Sequence, residues 1–302
     1  MANKIKIIFN PKANLGRAWT LADALRSLLP EGVAWTETAY PKHAQEIAAH
    51  SADEGYDQVI AIGGDGTVHE VLNGLMEIPV EKRPALGIVP TGSGNDFSFA
   101  AGVTHDPEEA LPRTLAGVPH MVDVGLARLD NGQQFYWTNA IGIGFDTLVT
   151  IHSRRIPVLQ GFALYFAAVL QTILLNYEPF HARIRIDDQE WEKEMLMIVL
   201  CNGQREGGGF YVSPEGHPDD SIMDYVGVGR ISRLRMLMTL PYFMKREQAG
   251  LSYVQTGQFR KLVLKSDRPL YIHTDGEILA GFGSNVRQLS AEILPGALRM
   301  IS

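Results

Sequence analysis

The stretch with the clearest chemical potential is a glycine-rich turn, Gly63-Gly64-Asp65-Gly66-Thr67, which follows an apolar run and opens a helical pattern. Glycine lacks a Cβ, so the main-chain N–H groups of such a turn can approach a ligand closely. The first turn of a helix adds unpaired N–H donors and a partial positive charge. Together these features predict a cradle for phosphate.

Asp65 does not suit a site that binds phosphate alone, because its negative charge would repel the ligand. A carboxylate beside a polyphosphate makes chemical sense if it holds Mg²⁺ or accepts a proton. The alternative is a tight strand-to-helix turn in which Asp65 only caps the helix. The residues alone leave both interpretations open.

A second glycine loop, Pro90–Phe97 (PTGSGNDF), follows the next predicted strand and opens a short helix. Two such loops at neighbouring strand ends would face one crevice, and the pair is more specific than either loop alone. The chain has no Walker sequence, so the ordinary P-loop is excluded, and no G-x-G-x-x-G follows the first strand. A polar turn, Asn10–Gly16 (NPKANLG), stands there instead.

These loops need a parallel sheet to position them, and the first third of the chain predicts one. Short apolar strand patterns such as Lys4–Phe9, Asp57–Ile62 and Ala85–Val89 alternate with helical stripes. The βαβα order predicts a doubly wound sheet with ligands at the carboxyl ends of its strands. We assign residues 1–124 to this α/β nucleotide-binding domain.

The pattern changes near Val122, where strands joined by turns begin to dominate. Helical patterns interrupt them at Pro157–Leu175 and at about Arg233–Gln248. We therefore predict a second, mostly antiparallel, β-sandwich-like domain over residues 125–287. The segment 288–302 fits a strand of either domain, and one interpretation joins it to the first.

Bulk composition excludes several classes of protein. The 302 residues carry a net charge of −7, which argues against general nucleic-acid binding. The single cysteine, Cys201, fits a cytosolic setting. The beginning of the chain reads as a strand and not as a signal peptide. The apolar stretch Ile156–Asn176 has the length of a bilayer span, but Pro157, Gln160 and Gln171 favour a buried helix.

Several motifs together make the chain resemble the diacylglycerol kinase catalytic-domain family, which includes sphingosine kinases and bacterial soluble lipid kinases. The resemblance covers nearly the whole length. Its motifs are FNPKA, GGDGTVHEVLNGL, PTGSGNDF, VDVG at 122–125, GIGFD at 142–146, PDDSIMD at 218–224 and DGE at 275–277. NAD kinases share a G-G-D-G-T loop, but TGSGNDF and the late DGE favour the lipid kinases.

The resemblance implies ATP-dependent phosphorylation of a lipid hydroxyl, with the nucleotide between the two domains. ATP and Mg²⁺ are the implied cofactors. The weakest match is Thr38, five residues before His43, because that turn varies across the family. The residues carried over to the nucleotide site are Asn10, Pro11, Lys12, Ala13, Asn14, Thr38, Gly64, Asp65, Gly66, Thr67, Val68, His69, Glu70, Ser93 and Asn95.

The resemblance also supplies candidates for the proton acceptor. Asp275 and Glu277 flank Gly276 in the position that the family uses for this role. We place this segment at a strand end, and because residues two apart in a strand share a face, both carboxylates could enter one cleft. The alternative is an exposed hairpin turn. Asp65 is the rival base, and we rank Glu277 and Asp275 first as a unit.

Metal ligands are implied at two places. Asp96 and Asp123 match the family's water-mediated magnesium network, although each could serve only as a helix cap or a strand-end residue. Asp220, with the carbonyls of His217 and Ile222, matches a structural Mg²⁺ site, and such oxygens suit a hard cation. Ser221 stands where the family often has glycine, which places this second site in doubt.

For the lipid, Asp146 matches a carboxylate that contacts the substrate headgroup in sphingosine kinases. Two basic pairs, Arg154–Arg155 and Lys245–Arg246, are candidates for attraction to anionic lipid, although such pairs usually lie on solvated surface. The expected partner is a lipid alcohol at a membrane surface, met by a cytoplasmic protein that associates transiently. Because similar kinases can dimerise, a homodimer is a further expectation. Residues that could line an acyl slot, or equally form plain core, are Phe162, Leu164, Tyr165, Phe166, Leu170 and Ile173.

Overall fold

The computed structural model describes residues 4–156, 159 and 161–302. The chain forms two compact units. The first unit ends at Val124 and also takes in Pro295–Ser302, and the second unit is Gly125–Leu294. The long last strand, Gln288–Ile301, pairs within the second unit at its beginning and within the first unit at its end.

The first unit is built on a parallel sheet, as the sequence predicts. The strand order is β15-β4-β3-β1-β2, and every pairing is parallel. Strands β1, β3 and β4 are buried along their whole length, which is typical of a sheet covered on both faces. The strands are β1 (Ile5–Phe9), β2 (Ala34–Glu37), β3 (Gln58–Gly63), β4 (Ala85–Pro90) and the end of β15 (Gln288–Ile301).

Helices connect these strands. Helix α2 packs against α3, and α5 packs against α1 and β4. A 3₁₀ segment, Ala13–Leu21, precedes α1 and contains a left-handed turn. The helices are α1 (Ala22–Ser27), α2 (His43–Ala49), α3 (Asp65–Met76), α4 (Asp96–Ala100) and α5 (Pro107–Ala116).

Helix α5 is absent from the sequence prediction, yet its beginning carries a signal. Asp106 accepts a hydrogen bond from the main-chain N–H of Glu108 at 3.0 Å, and Pro107 occupies the first helical position. This is a regular N-terminal cap.

The second unit is an antiparallel β domain, which confirms the prediction for this part of the chain. One path of paired strands is β14-β13-β7-β9-β8-β12-β15, with β10 and β11 continuing from β9 and β6 paired to β5. The strands are β5 (His120–Leu129), β6 (Gln134–Trp137), β7 (Ala140–Gly144), β8 (Phe180–Ile186), β9 (Gln189–Cys201), β10 (Met223–Gly229), β11 (Val254–Phe259), β12 (Lys261–Ser266), β13 (Ile272–Thr274) and β14 (Glu277–Ala280).

Alternating residues of β9 contribute to two hydrophobic cores. Ile198 and Leu200 belong to a core formed between strands, whereas Val199 and Cys201 belong to one that includes residues of the helices. This follows from the two-residue period of a strand. Burial raises the pKa of the Cys201 thiol well above its usual value, as expected of a cysteine that only packs.

The helices of the second unit are α6 (Phe145–Ser153), α7 (Gly161–Leu175) and α8 (Arg233–Lys245). The helix expected at 157–175 is present as Gly161–Leu175 in its described part, and it is buried only in part: Ala168, Val169, Thr172 and Ile173 are buried, whereas the C-terminal end is exposed. Pro157, Val158 and Gln160 lie outside the described residues. Among the described residues, no helix combines the length and apolar character needed to cross a bilayer.

Candidate active site

The two glycine loops lie side by side because their strands are neighbours. Strands β3 and β4 pair in parallel up to Gly63 and Pro90, so both loops leave the same edge of the sheet. The loop backbones touch: a Cβ added to Gly64 would lie 3.0 Å from the Cα of Gly92, and one added to Gly92 would overlap Gly64. Only glycine at both positions allows this approach.

Asp65 joins the two loops. Its carboxylate accepts the main-chain N–H of Asn95 at 2.7 Å and that of Asp96 at 2.8 Å. Its own helix, α3, has Gly64 as N-cap and no side-chain cap, so the idea that Asp65 caps that helix is wrong. Asp65 instead satisfies donors at the beginning of α4, where a helix offers no carbonyl partners.

Asn95 fixes the shape of the second loop. Its side-chain oxygen accepts the N–H of Gly92 and its side-chain nitrogen donates to the carbonyl of Gly92, both at 3.0 Å. Asn95 has a φ of 56°, a left-handed conformation that asparagine tolerates better than most residues. Ser93, at the tip of this loop, is exposed.

The polar turn after β1 is tied to the first glycine loop. Asn10 donates from its side-chain nitrogen to the hydroxyl of Thr67 at 2.9 Å and accepts the main-chain N–H of Lys12 at 3.0 Å. The side-chain oxygen of Asn14 is buried and has no hydrogen-bond partner among the described residues. A buried acceptor without a donor is the kind of atom that a ligand satisfies.

Glu70 has a structural task that the sequence does not reveal. Its carboxylate accepts the N–H of Lys42 at 2.8 Å and that of Ala44 at 3.2 Å, at the beginning of α2. Thr38 lies close to this turn in sequence, and its main-chain N–H donates to the carbonyl of Phe9. Asn73, one turn further along α3, donates from its side-chain Nδ2 to the ring Nε2 of His69 at 3.3 Å.

The predicted magnesium carboxylates of the first unit have different surroundings. A Cβ added to Gly94 would lie 2.8 Å from Asp65 Oδ2 and 3.5 Å from Asp96 Oδ2, so these two carboxylates border the same space. Asp123 is buried, and its Oδ1 accepts the N–H of Gly296 at 2.7 Å. Asp65 and Asp96 are therefore brought together, while Asp123 holds the last segment of the unit.

In the second unit, the DGE motif forms a hairpin. Thr274 of β13 pairs with Glu277 of β14, which leaves Asp275 and Gly276 as a two-residue turn with φ values of 46° and 82°. Both values are positive, as a type I′ turn requires, and Asp-Gly is a preferred pair for it. The expectation that Asp275 and Glu277 project from the same face of one strand is wrong.

The two carboxylates consequently have separate partners. Asp275 is buried and accepts the main-chain N–H groups of Thr138, Asn139 and Ala140 at 3.2, 2.8 and 3.1 Å. Glu277 is 46% exposed at its side chain and pairs with Arg154 at 2.9 Å. Glu277 is therefore the carboxylate that a substrate can reach, and Arg154 orients it rather than standing free for lipid.

Asp146 lies in the first turn of α6 and contacts His273, whose ring Nε2 is 2.7 Å from Asp146 Oδ2. Glu206 Oε1 is 4.0 Å from the same ring nitrogen. The ligand atoms of these three residues all lie within 4.8 Å of one another, so the group is able to hold a metal ion. Sequence reasoning identified Asp146 but not its partners, because 127 residues separate it from His273.

The candidate structural metal site at Asp220 forms a compact turn. Asp220 accepts the main-chain N–H of Ile222 at 3.1 Å, and Ser221 between them has a φ of 64°. Glycine adopts this left-handed conformation without steric cost, because it has no Cβ. His217 and Asp220 are both exposed.

The chain thus combines a parallel α/β unit that carries two adjoining glycine loops with an antiparallel β unit that carries the DGE hairpin. Family models agree with both units. Residues 4–127 match the "Diacylglycerol kinase catalytic domain", and residues 139–302 match the "YegS C-terminal NAD kinase beta sandwich-like domain". The chain therefore belongs to the YegS-like lipid kinases of the diacylglycerol kinase family.

Individual relatives agree with this assignment. The chain is 34% identical over 255 residues to a "Probable lipid kinase YegS-like" of Chromohalobacter salexigens, covering 83% of this chain and 78% of the relative. It is 31% identical over 264 residues to a protein of the same description from Stenotrophomonas maltophilia, covering 85% and 82%. It is similar in structure to a "putative diacylglycerol kinase" from Bacillus anthracis, with a TM-score of 0.78, 27% identity and coverage of 99% and 96%.

Proposed function

We propose that this protein transfers the γ-phosphoryl group of ATP to the hydroxyl of diacylglycerol or a related lipid alcohol. The observation that carries the proposal is the contact between the backbones of the two glycine loops at Gly64 and Gly92. Main-chain N–H groups at the carboxyl edge of a parallel sheet and at a helix N-terminus suit the phosphates of a nucleotide.

The residues present fit a nucleotide and a divalent cation. The first turn of α3 (Gly66 and Thr67) and the turn at Asn10–Asn14 would hold the phosphates. The carboxylates of Asp65 and Asp96, which border the space beside Gly94, have the oxygen ligands that Mg²⁺ prefers. When bound, the cation and nucleotide supply the phosphoryl group and neutralise charge that develops during its transfer.

The second unit would supply the proton acceptor. Glu277 has an accessible carboxylate, and its ion pair with Arg154 fixes its direction. A carboxylate within hydrogen-bond reach of an alcohol can take its proton as the oxygen attacks phosphorus. Asp275 would act differently: by binding the N–H groups at 138–140, it holds the turn from which Glu277 emerges.

A kinase assay with an extracted lipid mixture tests the proposal. The protein, Mg²⁺ and γ-labelled ATP are incubated with the dispersed lipids, and labelled products are identified by mass. We expect a lipid phosphomonoester, with diacylglycerol as its parent. Tight binding of ATP without transfer to any lipid alcohol would contradict the proposal and favour a non-catalytic sensor of nucleotide or lipid.

A matched control isolates the role of Glu277. Glu194 forms an ion pair with Arg230 at 2.9 Å, and its side chain is 53% exposed, close to the 46% of Glu277. Glu277→Gln should abolish most of the transfer, whereas Glu194→Gln should leave it unchanged. Equal activity of the two variants would show that the base lies elsewhere.

A sphingoid base is the second candidate acceptor, and one observation favours it. Asp146 and Glu206 present two carboxylates around His273, a setting that attracts an ammonium group such as the amine of a sphingoid base. A panel with diacylglycerol and a sphingoid base as alternative acceptors discriminates between them. Asp146→Asn would weaken use of the sphingoid base while sparing diacylglycerol.

A further inference from the structure

Helix α8 has an apolar surface on both of its sides. Met236, Thr239 and Phe243 point into the core of the second unit and are buried. The opposite side carries Leu234 and Met238, which are 66% and 55% exposed. A surface helix ordinarily presents polar residues to solvent, so this side needs an explanation.

The exposed apolar surface extends to the end of α7. The side-chain Nε of Arg233 donates to the carbonyl of Ile173 at 3.0 Å, which places the beginning of α8 beside the end of α7. Leu174 and Leu175 follow directly and are 70% and 63% exposed. The surface, here called the α8 face, consists of Leu174, Leu175, Leu234, Leu237, Met238 and Tyr242.

The charges on these two helices are all of one sign. The segment Arg233–Arg246 contains four basic residues and no acidic residue, and α7 contains no charged residue at all. Glu247, which follows the segment, is the nearest acid in sequence. The whole chain, by contrast, has a net charge of −7. The α8 face is therefore a basic, apolar patch on an acidic protein.

The basic residues at this surface keep their charge available. Arg235 lies over the ring of Tyr253 and Arg246 over that of Tyr211, at 5.6 and 3.9 Å. Aromatic rings do not neutralise a cation. Among the described residues, no carboxylate forms an ion pair with any of the four: Arg233, Arg235, Lys245 and Arg246.

We propose that the α8 face docks the protein onto an anionic lipid membrane. Its leucine and methionine side chains enter the boundary between headgroups and acyl chains, and the flanking Arg and Lys groups meet anionic headgroups. Long basic side chains suit this arrangement because their stems are apolar and their ends are charged. The inference rests on the proposed function only in supposing that the acceptor resides in a membrane.

A second copy of the chain is the competing occupant. In a two-fold symmetric contact through this face, the same patch of both copies would be buried, so both sets of basic groups would be drawn into one interface without a carboxylate from these segments. That repulsion disfavours the dimer, while an anionic membrane turns the same charges into an attraction.

Vesicle flotation without ATP tests the proposal. The full protein is mixed with vesicles of phosphatidylcholine alone or with about a third phosphatidylglycerol. We expect binding to the anionic vesicles and little to the neutral ones. Leu234→Gln combined with Met238→Gln should weaken binding roughly tenfold, since two side chains lose their apolar contact with lipid.

A control and a second variant make the test selective. Val80→Gln with Val118→Gln changes two apolar residues of the first unit that are 61% and 83% exposed, and binding should not change. Arg235→Gln with Lys245→Gln should reduce binding to anionic vesicles only. Binding that is unaffected by both α8 variants would overturn the proposal, as would a dimer in gel filtration that the Leu234 and Met238 changes dissociate.

The vesicle experiment and the kinase assay test different claims, so either of them can fail without the other. Failure to bind vesicles, together with transfer to detergent-dispersed lipid, would contradict the docking surface alone. Vesicle binding that depends on the α8 face, without transfer to any lipid, would contradict the kinase proposal alone.

Discussion

The paired glycine loops of the first unit and the DGE hairpin of the second use an aspartate in the same way. Asp65 accepts main-chain N–H groups of the neighbouring loop, and Asp275 accepts those of Thr138–Ala140. The regions differ in what they then present. The loops present backbone donors, whereas the hairpin presents a carboxylate, that of Glu277. Both motif aspartates thus hold backbone segments in place, and in the proposed function Asp65 would also border the divalent cation.

The largest expected effect comes from the loop contact. Gly92→Ala places a methyl group against Gly64 and 2.7 Å from the side-chain oxygen of Asn95, so one loop must move. We expect ATP affinity to fall by about a hundredfold or more, because misplaced donors lose their alignment with the phosphates. Calorimetric titration with ATP measures it. Gly250→Ala is the control, since its Cβ would meet nothing within 4 Å.

A change of Glu277 in the hairpin should lower the rate of phosphoryl transfer far more than it lowers the stability of the fold. Glu277→Gln should lower the rate of transfer roughly 10² fold or more if it removes a general base. The free energy of unfolding should change by less than about 1 kcal/mol, because exposed ion pairs contribute little. Steady-state kinetics and urea denaturation check the two parts. If the loss of unfolding free energy were as large as the loss of transition-state stabilisation, Glu277 would have a structural role like that of Asp275.

Asp275 should show the reverse pattern. Asp275→Asn leaves a buried N–H group without its acceptor and brings the amide NH₂ against a donor, at a cost of about 2–3 kcal/mol. Urea denaturation measures this loss. Asp187→Asn is a useful comparison, because Asp187 also accepts main-chain N–H groups, at Arg260 and Lys261, but lies on the surface. An equal cost in both variants would show that burial does not matter here.

The smallest effect concerns Asp224, whose hydrogen-bond donors among the described residues are the side chains of Ser213 and Gln258. Burial raises its pKa and the nearby Asp220 raises it further, while hydrogen bonds from Ser213 and Gln258 lower it. A carboxyl whose folded-state pKa is raised stabilises the protein below its unfolded pKa of about 4 and loses that contribution as pH rises through the folded value.

Asp224→Asn should therefore stabilise the protein relative to wild type at neutral pH, with the difference shrinking toward pH 4. Thermal melts across this range check the sign. A variant less stable than wild type at neutral pH and equal to it in acid would contradict the raised pKa.

Local patterns in the sequence were sufficient for much of the fold. Strands β10 and β12 end where their apolar patterns end, and the two glycine loops adjoin as the βαβα order predicts. Helix α6 escaped prediction because Phe145–Ser153 is rich in β-branched residues and follows a strand directly. Propensity at such a place is overridden by packing.

The arrangement of the candidate site was less accessible from sequence. The contacts that define the roles of Asp275 and Asp146 span 135 and 127 residues, so no local pattern carries them. The Asp-Gly pair is the one local signal here, because it is a preferred pair for the hairpin turn that forms at Asp275 and Gly276. The ion pair of Arg154 with Glu277 is likewise distant in sequence, so the sequence offers Arg154 only as a candidate for lipid or as solvated surface.

The measurement closest to the central claim is the affinity of the protein for adenosine, AMP, ADP and ATP in the presence of Mg²⁺, determined by calorimetric titration. If main-chain donors of the two glycine loops bind phosphate, affinity should rise along the series, with ATP at least about a hundredfold tighter than adenosine. Equal affinity for adenosine and ATP would contradict the account, because the loops would then make no contact with the phosphates.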